Sequence, residues 1–221
     1  ASVLVIHDAA AASTLTLPPT VTVLLVQETG AALLRLAAAY RRTLETTRVI
    51  AVGGSNGKTT TCSLLQGVLG SQFRGTASPK SFNNAIGVPL TILSARRGDQ
   101  YLICEVGTNA PGEIAPLAAV IEPDIAVITS IGREHLEGLG SLAGVITEEA
   151  ALLTSIRPGG TAVVTAENQD LLDVVKPLMH RRTASGSKGC TLLTFGRADG
   201  ADLRVADIVV GPESTTFTIN Q

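Results

Sequence analysis

The stretch Arg48-Val49-Ile50-Ala51-Val52-Gly53-Gly54-Ser55-Asn56-Gly57-Lys58-Thr59-Thr60 decides the reading of this chain. An apolar run suited to a buried strand enters a glycine turn, and Gly57-Lys58-Thr59 opens a helix-like segment that continues to Leu69. Strand, glycine turn and helix in that order make a phosphate-binding loop, because backbone N–H groups of the turn and the helix N-terminus converge on an anion. Gly54, Ser55, Asn56, Gly57, Lys58, Thr59 and Thr60 form the candidate cradle for a nucleotide's phosphates. Lys58 adds a mobile positive charge for the β- and γ-phosphates, and the Thr59 hydroxyl is a ligand suited to Mg²⁺. Val52 stands where the longer eight-residue pattern has glycine, so the loop is the shorter Gly-x-x-Gly-Lys-Thr form. A glycine turn that merely happens to hold a lysine leaves the flanking strand and helix unexplained.

Outward from the loop, composition narrows the class. The chain has 221 residues, 45% of them hydrophobic but only 3% aromatic, with no Trp, so Ala, Val, Leu and Ile must fill the core. A formal net charge of −2 argues against a general nucleic-acid binder. No apolar stretch reaches the roughly 20 residues of a membrane span. The opening Ala1-Ser2-Val3-Leu4-Val5-Ile6-His7-Asp8 lacks the basic start and cleavage pattern of a signal peptide, and has no initiator Met, so a trimmed or excised piece is expected. Cys62, Cys104 and Cys190 are far apart and form no C-x-x-C pair, which fits buried thiols in a reducing cytoplasm.

Short apolar runs then alternate with helix-like segments. Strands are expected at Ser2–His7, Val21–Val26, Val49–Val52, Tyr101–Cys104, Ile125–Thr129 and Thr161–Thr165, with Ala9–Ala12 and Pro18-Pro19 as turn or loop. Helices are expected at Gly30–Leu44, Thr59–Leu69, Pro89–Ala95, Gly112–Ile121, Leu142–Ser155 and Gln169–Met179. Continuous apolar strands between helices imply an α/β fold, a mostly parallel sheet with helices on both faces. Thr191–Phe195, Leu203–Val210 and Thr215–Ile219 read as a β-rich C-terminal extension, antiparallel at the sheet edge.

In such sheets ligand-binding residues collect at the carboxyl ends of strands. One strand ends in Glu105, a carboxylate well placed to hold Mg²⁺ beside a phosphate loop. Another leads into Ser130-Ile131-Gly132-Arg133-Glu134-His135, where imidazole and carboxylate suit a second metal ion or a substrate. Asn83 and Asn84 precede a glycine turn and a proline-opened helix; they serve turn chemistry or offer neutral amides to a charged substrate, and the residues alone do not decide which.

Four segments, in order, resemble the Mur ligase family of ATP-dependent amide-forming ligases. They are Gly54-Ser55-Asn56-Gly57-Lys58-Thr59-Thr60, Asn83-Asn84-Ala85-Ile86-Gly87-Val88-Pro89, Glu105-Val106-Gly107-Thr108-Asn109-Ala110-Pro111-Gly112-Glu113-Ile114 and His135-Leu136-Glu137-Gly138-Leu139-Gly140-Ser141. Within the family they look most like the branch of peptidoglycan synthesis that adds D-alanyl-D-alanine to a UDP-muramoyl peptide. The resemblance implies a reaction in which ATP phosphorylates the substrate's terminal carboxylate and an amine displaces the phosphate. It also implies roles: Lys58 and the loop on the β- and γ-phosphates, Thr59 with Glu105 on a first Mg²⁺, His135 on a second, Asn83 and Asn84 near substrate or phosphates, and Asn168 near the nucleotide.

The chain departs from the family twice. Most members carry a carbamylated lysine on the helix after the histidine loop, and its carbamate helps to hold the second metal. Counting from Gly144-Val145, Glu149 takes that lysine's place, and no lysine stands between Lys80 and Lys176. Glutamate is a carboxylate at neutral pH without CO₂, so Glu149 is expected to substitute for the carbamate as metal ligand and catalytic residue. It is several bonds shorter, and a solvated Glu148-Glu149 pair is the competing expectation. The second departure is extent. The family has three domains; residues 1–45 read as a remnant of the UDP-sugar domain with a connecting helix, residues 46–221 as the ATP-binding domain, and nothing as the C-terminal ligase domain. Taken alone, these residues are expected to bind ATP weakly and to ligate nothing. The alternatives are another ligase of the family, such as a MurE-like or folylpolyglutamate synthase-like enzyme, a P-loop ATPase that is not a ligase, or a degenerate nucleotide-binding module.

Overall fold

The computed structural model describes residues 3–80, 82–132, 136–184 and 189–220. The chain opens with β1 (Val3–Ile6), α1 (Ala9–Thr14), β2 (Thr22–Leu25) and α2 (Thr29–Arg42). β1 and β2 pair in parallel as a separate two-stranded sheet. The remaining elements are β3 (Arg48–Gly53), α3 (Lys58–Gly70), β4 (Gly75–Ala77), α4 (Gly87–Ser94), β5 (Tyr101–Glu105), α5 (Ile114–Ile121), β6 (Ile125–Ile128), α6 (Leu136–Leu139), α7 (Leu142–Ala150), β7 (Thr161–Thr165), α8 (Gln169–Ala184), β8 (Thr191–Gly196), β9 (Leu203–Val210) and β10 (Thr215–Asn220). A 3₁₀ turn, Ala151–Ser155, continues α7.

The large sheet has the order β10-β9-β8-β7-β6-β3-β5-β4. β3 lies between β5 and β6, parallel to both. The chain leaves β3 toward β4, returns through β5, then crosses to β6 on the other side. That reversal opens a crevice at the carboxyl end of β3, where α/β sheets bind ligands. Register puts Val52 beside Glu105 and Gly53 beside Ile128, so three strand ends meet at the phosphate loop.

Alternate residues of β3 feed two cores, as a period of two requires. Val49 and Ala51 join the larger cluster, with Val88 and Ile92 of α4, Leu117 and Ile121 of α5, Ile146 and Ala150 of α7, and Leu171 and Val175 of α8. Ile50 and Val52 join the smaller one, with Cys62 of α3 and with Tyr101 and Ile103 of β5. Helices therefore cover both faces, α3 on one and the others opposite. α2 belongs to the larger core through Ala37, and Leu44 joins it just past the helix end. Its buried Arg41 fixes it there: Nε donates to the Ile121 carbonyl at 2.7 Å, and Nη2 donates to the Glu122 carbonyl at 2.9 Å and lies 3.5 Å from Asp124 Oδ2.

Three expectations change. Ala9–Ala12 is helical, not a turn, because Asp8 caps it by accepting from the Ala10 and Ala11 amides, and alanine favours helix. The short β4 lies outside the expected strands. The C-terminal extension is antiparallel only between β9 and β10; β8 continues the parallel sheet beside β7, since α8 is long enough for a parallel crossover. β9 is also parallel to β8, over two residue pairs. Asp202 latches that junction, its Oδ2 accepting from Thr194 N at 2.8 Å and Thr194 Oγ1 at 2.7 Å.

Candidate active site

Two glycines let the phosphate loop turn. Gly54 has φ 116° and Gly57 φ 86°, both in the region that side chains disfavour. Gly57 is the N-cap position of α3 and has no side chain to occupy the anion's place. A Cβ at Gly54 would collide with Thr129 Oγ1.

The segment after β6 staples the loop. Ser55 N donates to the Ser130 carbonyl at 2.9 Å, and Asn56 N to Ser130 Oγ at 2.9 Å. Thr129 Oγ1 donates to the Asn56 carbonyl at 2.6 Å, and Gly132 N to Ser55 Oγ at 2.8 Å. Thr129 and Ser130 had no role in the sequence reading; two hydroxyls directly after a strand that ends beside the loop are the signal that could have found them. Lys58 folds back over the loop, Nζ donating to the Gly54 carbonyl at 2.6 Å and the Ser55 carbonyl at 3.0 Å. Thr60, on the first turn of α3, is exposed.

Glu105 ends β5 and is buried, with 3% of its surface exposed. Its Oε2 accepts from Thr59 Oγ1 at 2.9 Å, and its Oε1 from Asn83 Nδ2 at 3.0 Å. Its own amide donates to Ser78 Oγ at 2.9 Å, a positioning contact that the sequence did not reveal. The structure thus joins Thr59, Glu105 and Asn83. The Thr59 and Glu105 oxygens are hard donors of the kind Mg²⁺ prefers. Among the described residues no three His, Cys, Asp or Glu side chains gather as a metal site, so a cation here would draw on phosphate oxygens as well.

Asn84 divides from its neighbour. Its Oδ1 accepts from Ile86 N at 3.1 Å and Gly87 N at 2.9 Å, so that oxygen serves the turn into α4. Asn168 behaves likewise: its Oδ1 accepts from Leu171 N at 2.8 Å at the start of α8. His135 lies outside the described residues.

Glu148 and Glu149 are both buried, so the solvated pair does not form. Glu149 Oε2 accepts from Gly54 N at 2.7 Å, which brings its carboxylate against the first glycine of the phosphate loop. Glu148 turns to the other side, accepting from Gly112 N and Ile114 N, each at 2.7 Å.

Lys58 opens on a cavity of about 630 Å³ whose facing wall includes Asn83, Asn84, Thr108, Asn109 and Glu113. Glu113 Oε2 accepts from Asn109 N at 2.8 Å, Thr108 Oγ1 at 3.1 Å and Ala110 N at 3.2 Å. The backbone bond from Asn109, followed by the Thr108 hydroxyl, holds its carboxyl below the usual range. Leu34, Ile86, Pro116 and Leu117 supply an apolar lining. Cationic lysine, neutral amides and a carboxylate around one partly apolar cavity suit a phosphorylated nucleotide meeting a peptide-like acid.

Fold and site together define an α/β phosphate-loop domain. The family model for the Mur ligase middle domain matches residues 52–221, and the chain belongs to that family. The UDP-N-acetylmuramoyl-tripeptide–D-alanyl-D-alanine ligase of Bacillus subtilis is 36% identical over 197 residues, covering 89% of this chain and 40% of that protein. The crystal structure of MurF from Acinetobacter baumannii superposes with a TM-score of 0.80 at 28% identity, over 92% of this chain and 43% of that one. MurF ligase from Thermotoga maritima in complex with ADP gives a TM-score of 0.77 at 27% identity, over 89% and 43%. The chain spans at most about 40% of the length of such curated relatives.

Proposed function

We propose that this chain is the ATP-binding middle domain of a MurF-type ligase, which adds D-alanyl-D-alanine to a UDP-muramoyl tripeptide through an acyl phosphate. The observation that carries the reading is the hydrogen-bonded set Thr59–Glu105–Asn83, which through Asn83 reaches a cavity that Lys58 also lines, in a chain matched by the Mur ligase middle-domain model and by D-alanyl-D-alanine ligases. Residues 1–45 are assigned to the UDP-sugar-binding side and its connecting helix, and residues 46–221 to the ATP-binding domain. Ligation then needs the full-length protein, and these 221 residues alone bind ATP weakly. ATP as co-substrate and peptide precursors as acceptors put the reaction in the cytoplasm. No helix among the described residues is long and apolar enough to cross a membrane, and no nucleic-acid partner is assigned.

ATP enters with its phosphates on the loop. Lys58 exchanges its two loop carbonyls for β- and γ-phosphate oxygens, and the amides at the head of α3 take the remaining charge. Thr59 and Glu105 would hold a Mg²⁺, whose chemistry there would be to neutralise phosphate charge beside an anionic carboxylate. Asn83 keeps Glu105 oriented by occupying its second oxygen. The substrate carboxylate attacks the γ-phosphorus and ADP leaves; the amine of D-alanyl-D-alanine then attacks the acyl carbon and phosphate leaves. Glu149, held against Gly54, would supply the fixed negative charge of the absent carbamate, and with His135 would hold a second Mg²⁺. Asn168 is retained as a nucleotide contact through the part of its side chain that does not cap α8.

The test is phosphate release by the full-length protein, with and without UDP-muramoyl tripeptide and D-alanyl-D-alanine. Release that requires both, with formation of the pentapeptide product, is expected. Release that needs neither points to a P-loop ATPase, and no release under any condition to a degenerate nucleotide-binding module.

A further inference from the structure

Glu148 is 7% exposed and spends both carboxylate oxygens on backbone amides, Oε2 on Gly112 and Oε1 on Ile114. Burying a carboxylate is costly unless hydrogen bonds replace its water. The two amides belong to the turn that closes the 107–113 segment and opens α5. Gly112 sits there at φ 84°, and Ile114 is the first helical residue. Helix starts leave such amides without partners in the helix itself, and the N-cap residue of α5, Glu113, provides none with its side chain. Its carboxylate is turned back onto Asn109, Ala110 and Thr108 instead. Glu148 therefore supplies from another element what the local sequence lacks.

The neighbouring position adds the consequence. Consecutive helical residues point about 100° apart, so the end of α7 reaches two loops at once. Glu149 holds Gly54 in the phosphate loop, and Glu148 holds the segment whose Gly107, Thr108, Asn109 and Glu113 line the same cavity. The phosphate loop has further bonds to Thr129 and Ser130. Among the described residues, the 107–113 segment is bonded mainly to itself through Glu113, with Asn83 and Glu148 as its outside anchors, the former through Gly107 N to the Asn83 carbonyl at 2.8 Å.

We infer that Glu148 is a positioning residue for the acyl substrate: it holds the 107–113 wall in the conformation that receives the peptide end of the UDP-muramoyl acceptor, while the nucleotide side stands without it. The assignment of the acceptor rests on the function proposed above; the positioning itself rests on the hydrogen bonds. Removing the anchor lowers the fraction of molecules with a competent wall, and apparent affinity for whatever binds there falls by that fraction.

The experiment uses the full-length protein and the isosteric Glu148→Gln, whose amide nitrogen cannot accept the second bond. KM for UDP-muramoyl tripeptide is expected to rise about tenfold, the scale of one buried donor left unpaired, with KM for ATP within about twofold. Hydrogen exchange read by mass spectrometry is expected to quicken over residues 107–115 and to stay unchanged over 50–56. A parallel rise in both KM values, or no change in either, overturns the inference. So does unchanged exchange over 107–115. If Glu148→Gln does not fold, Glu148→Asp, which keeps the charge and shortens the reach, is read in the same way. Wild-type protein without turnover dependent on D-alanyl-D-alanine would remove the proposed function, and the exchange comparison would still decide the role of Glu148.

Discussion

The two walls of the cavity are held by different means. The phosphate loop is short, turns on two glycines and is stapled by neighbouring hydroxyls and backbone from residues 129–132. The facing wall, residues 83–87 and 107–113, depends on single side chains: Asn83 on Glu105, Asn84 on the α4 turn, Glu113 on its own loop and Glu148 from α7. The difference follows from what each wall would receive. A phosphate is bound by backbone amides that need only the right turn, whereas a peptide acid needs amides and carboxylates set at chosen positions. Local sequence can encode the first; the second must be assembled from distant elements.

Breaking the phosphate wall is expected to cost most. Lys58→Ala in the full-length protein should lower turnover about 10²–10³-fold, the usual cost of removing one preorganised charge-stabilising group. Steady-state phosphate release measures this, and thermal unfolding should be little changed because, among the described residues, Lys58 is bonded only to loop carbonyls. Glu149→Ala comes next. It strips the acceptor from the buried Gly54 amide, at about 1–3 kcal/mol or roughly 10–100-fold in turnover. Turnover and Mg²⁺ dependence that match wild type would exclude Glu149 from the site.

Asn168→Ala sharpens the comparison from outside both walls. Loss of the cap on α8 should lower stability by about 1 kcal/mol, measured by urea unfolding. A raised KM for ATP in the same variant is the sign of the nucleotide contact; an unchanged one reduces Asn168 to a cap.

The smallest effect at neutral pH concerns the buried thiols of α3 and β5, one on each face of the sheet. Burial pushes Cys62 and Cys104 up to about 12, from an ordinary 9.0. Both stay protonated in the folded protein at pH 8 and should resist alkylation there, while the half-exposed Cys190 labels. The folded state holds these protons more tightly than the unfolded chain. Their contribution to stability is therefore complete below about pH 9 and is lost as pH rises toward 12. Unfolding midpoints measured from pH 8 to 11 should fall across that window.

Much of the fold was legible because its signals are local. Apolar runs marked β3, β5, β6 and β7, and glycine with lysine marked the head of α3. Misses came where the signal is short or lies in a capping residue. Gly75–Ala77 makes a strand only because β5 offers it an edge. Asp8 turned an alanine run into α1. At the site, Thr59, Glu105 and Lys58 could be read from strand ends and motif, and Asn83 could be suspected. The division of labour between Asn83 and Asn84 could not, since both stand in the same turn and differ only in which way the backbone aims them. Glu148 reads as one of a solvated pair because a tandem of glutamates on a helix gives no hint of the two turn amides it meets, Gly112 and the buried Ile114.

By itself, the sequence determined the phosphate loop and the alternation of strands and helices, since turn geometry and apolar periodicity act over a few residues. Only the tertiary structure decided what the loop works with. Thr59 meets Glu105 across 46 residues and Gly54 meets Glu149 across 95, and no local rule fixes such pairs. They follow from the strand order that sets β5 and β6 on either side of β3 and lays α7 beneath the loop. The buried backbone amides at Gly54 and Ile114 then require acceptors, and Glu149 and Glu148 are the side chains that the packing delivers to them, Glu148 also taking the more open Gly112 amide.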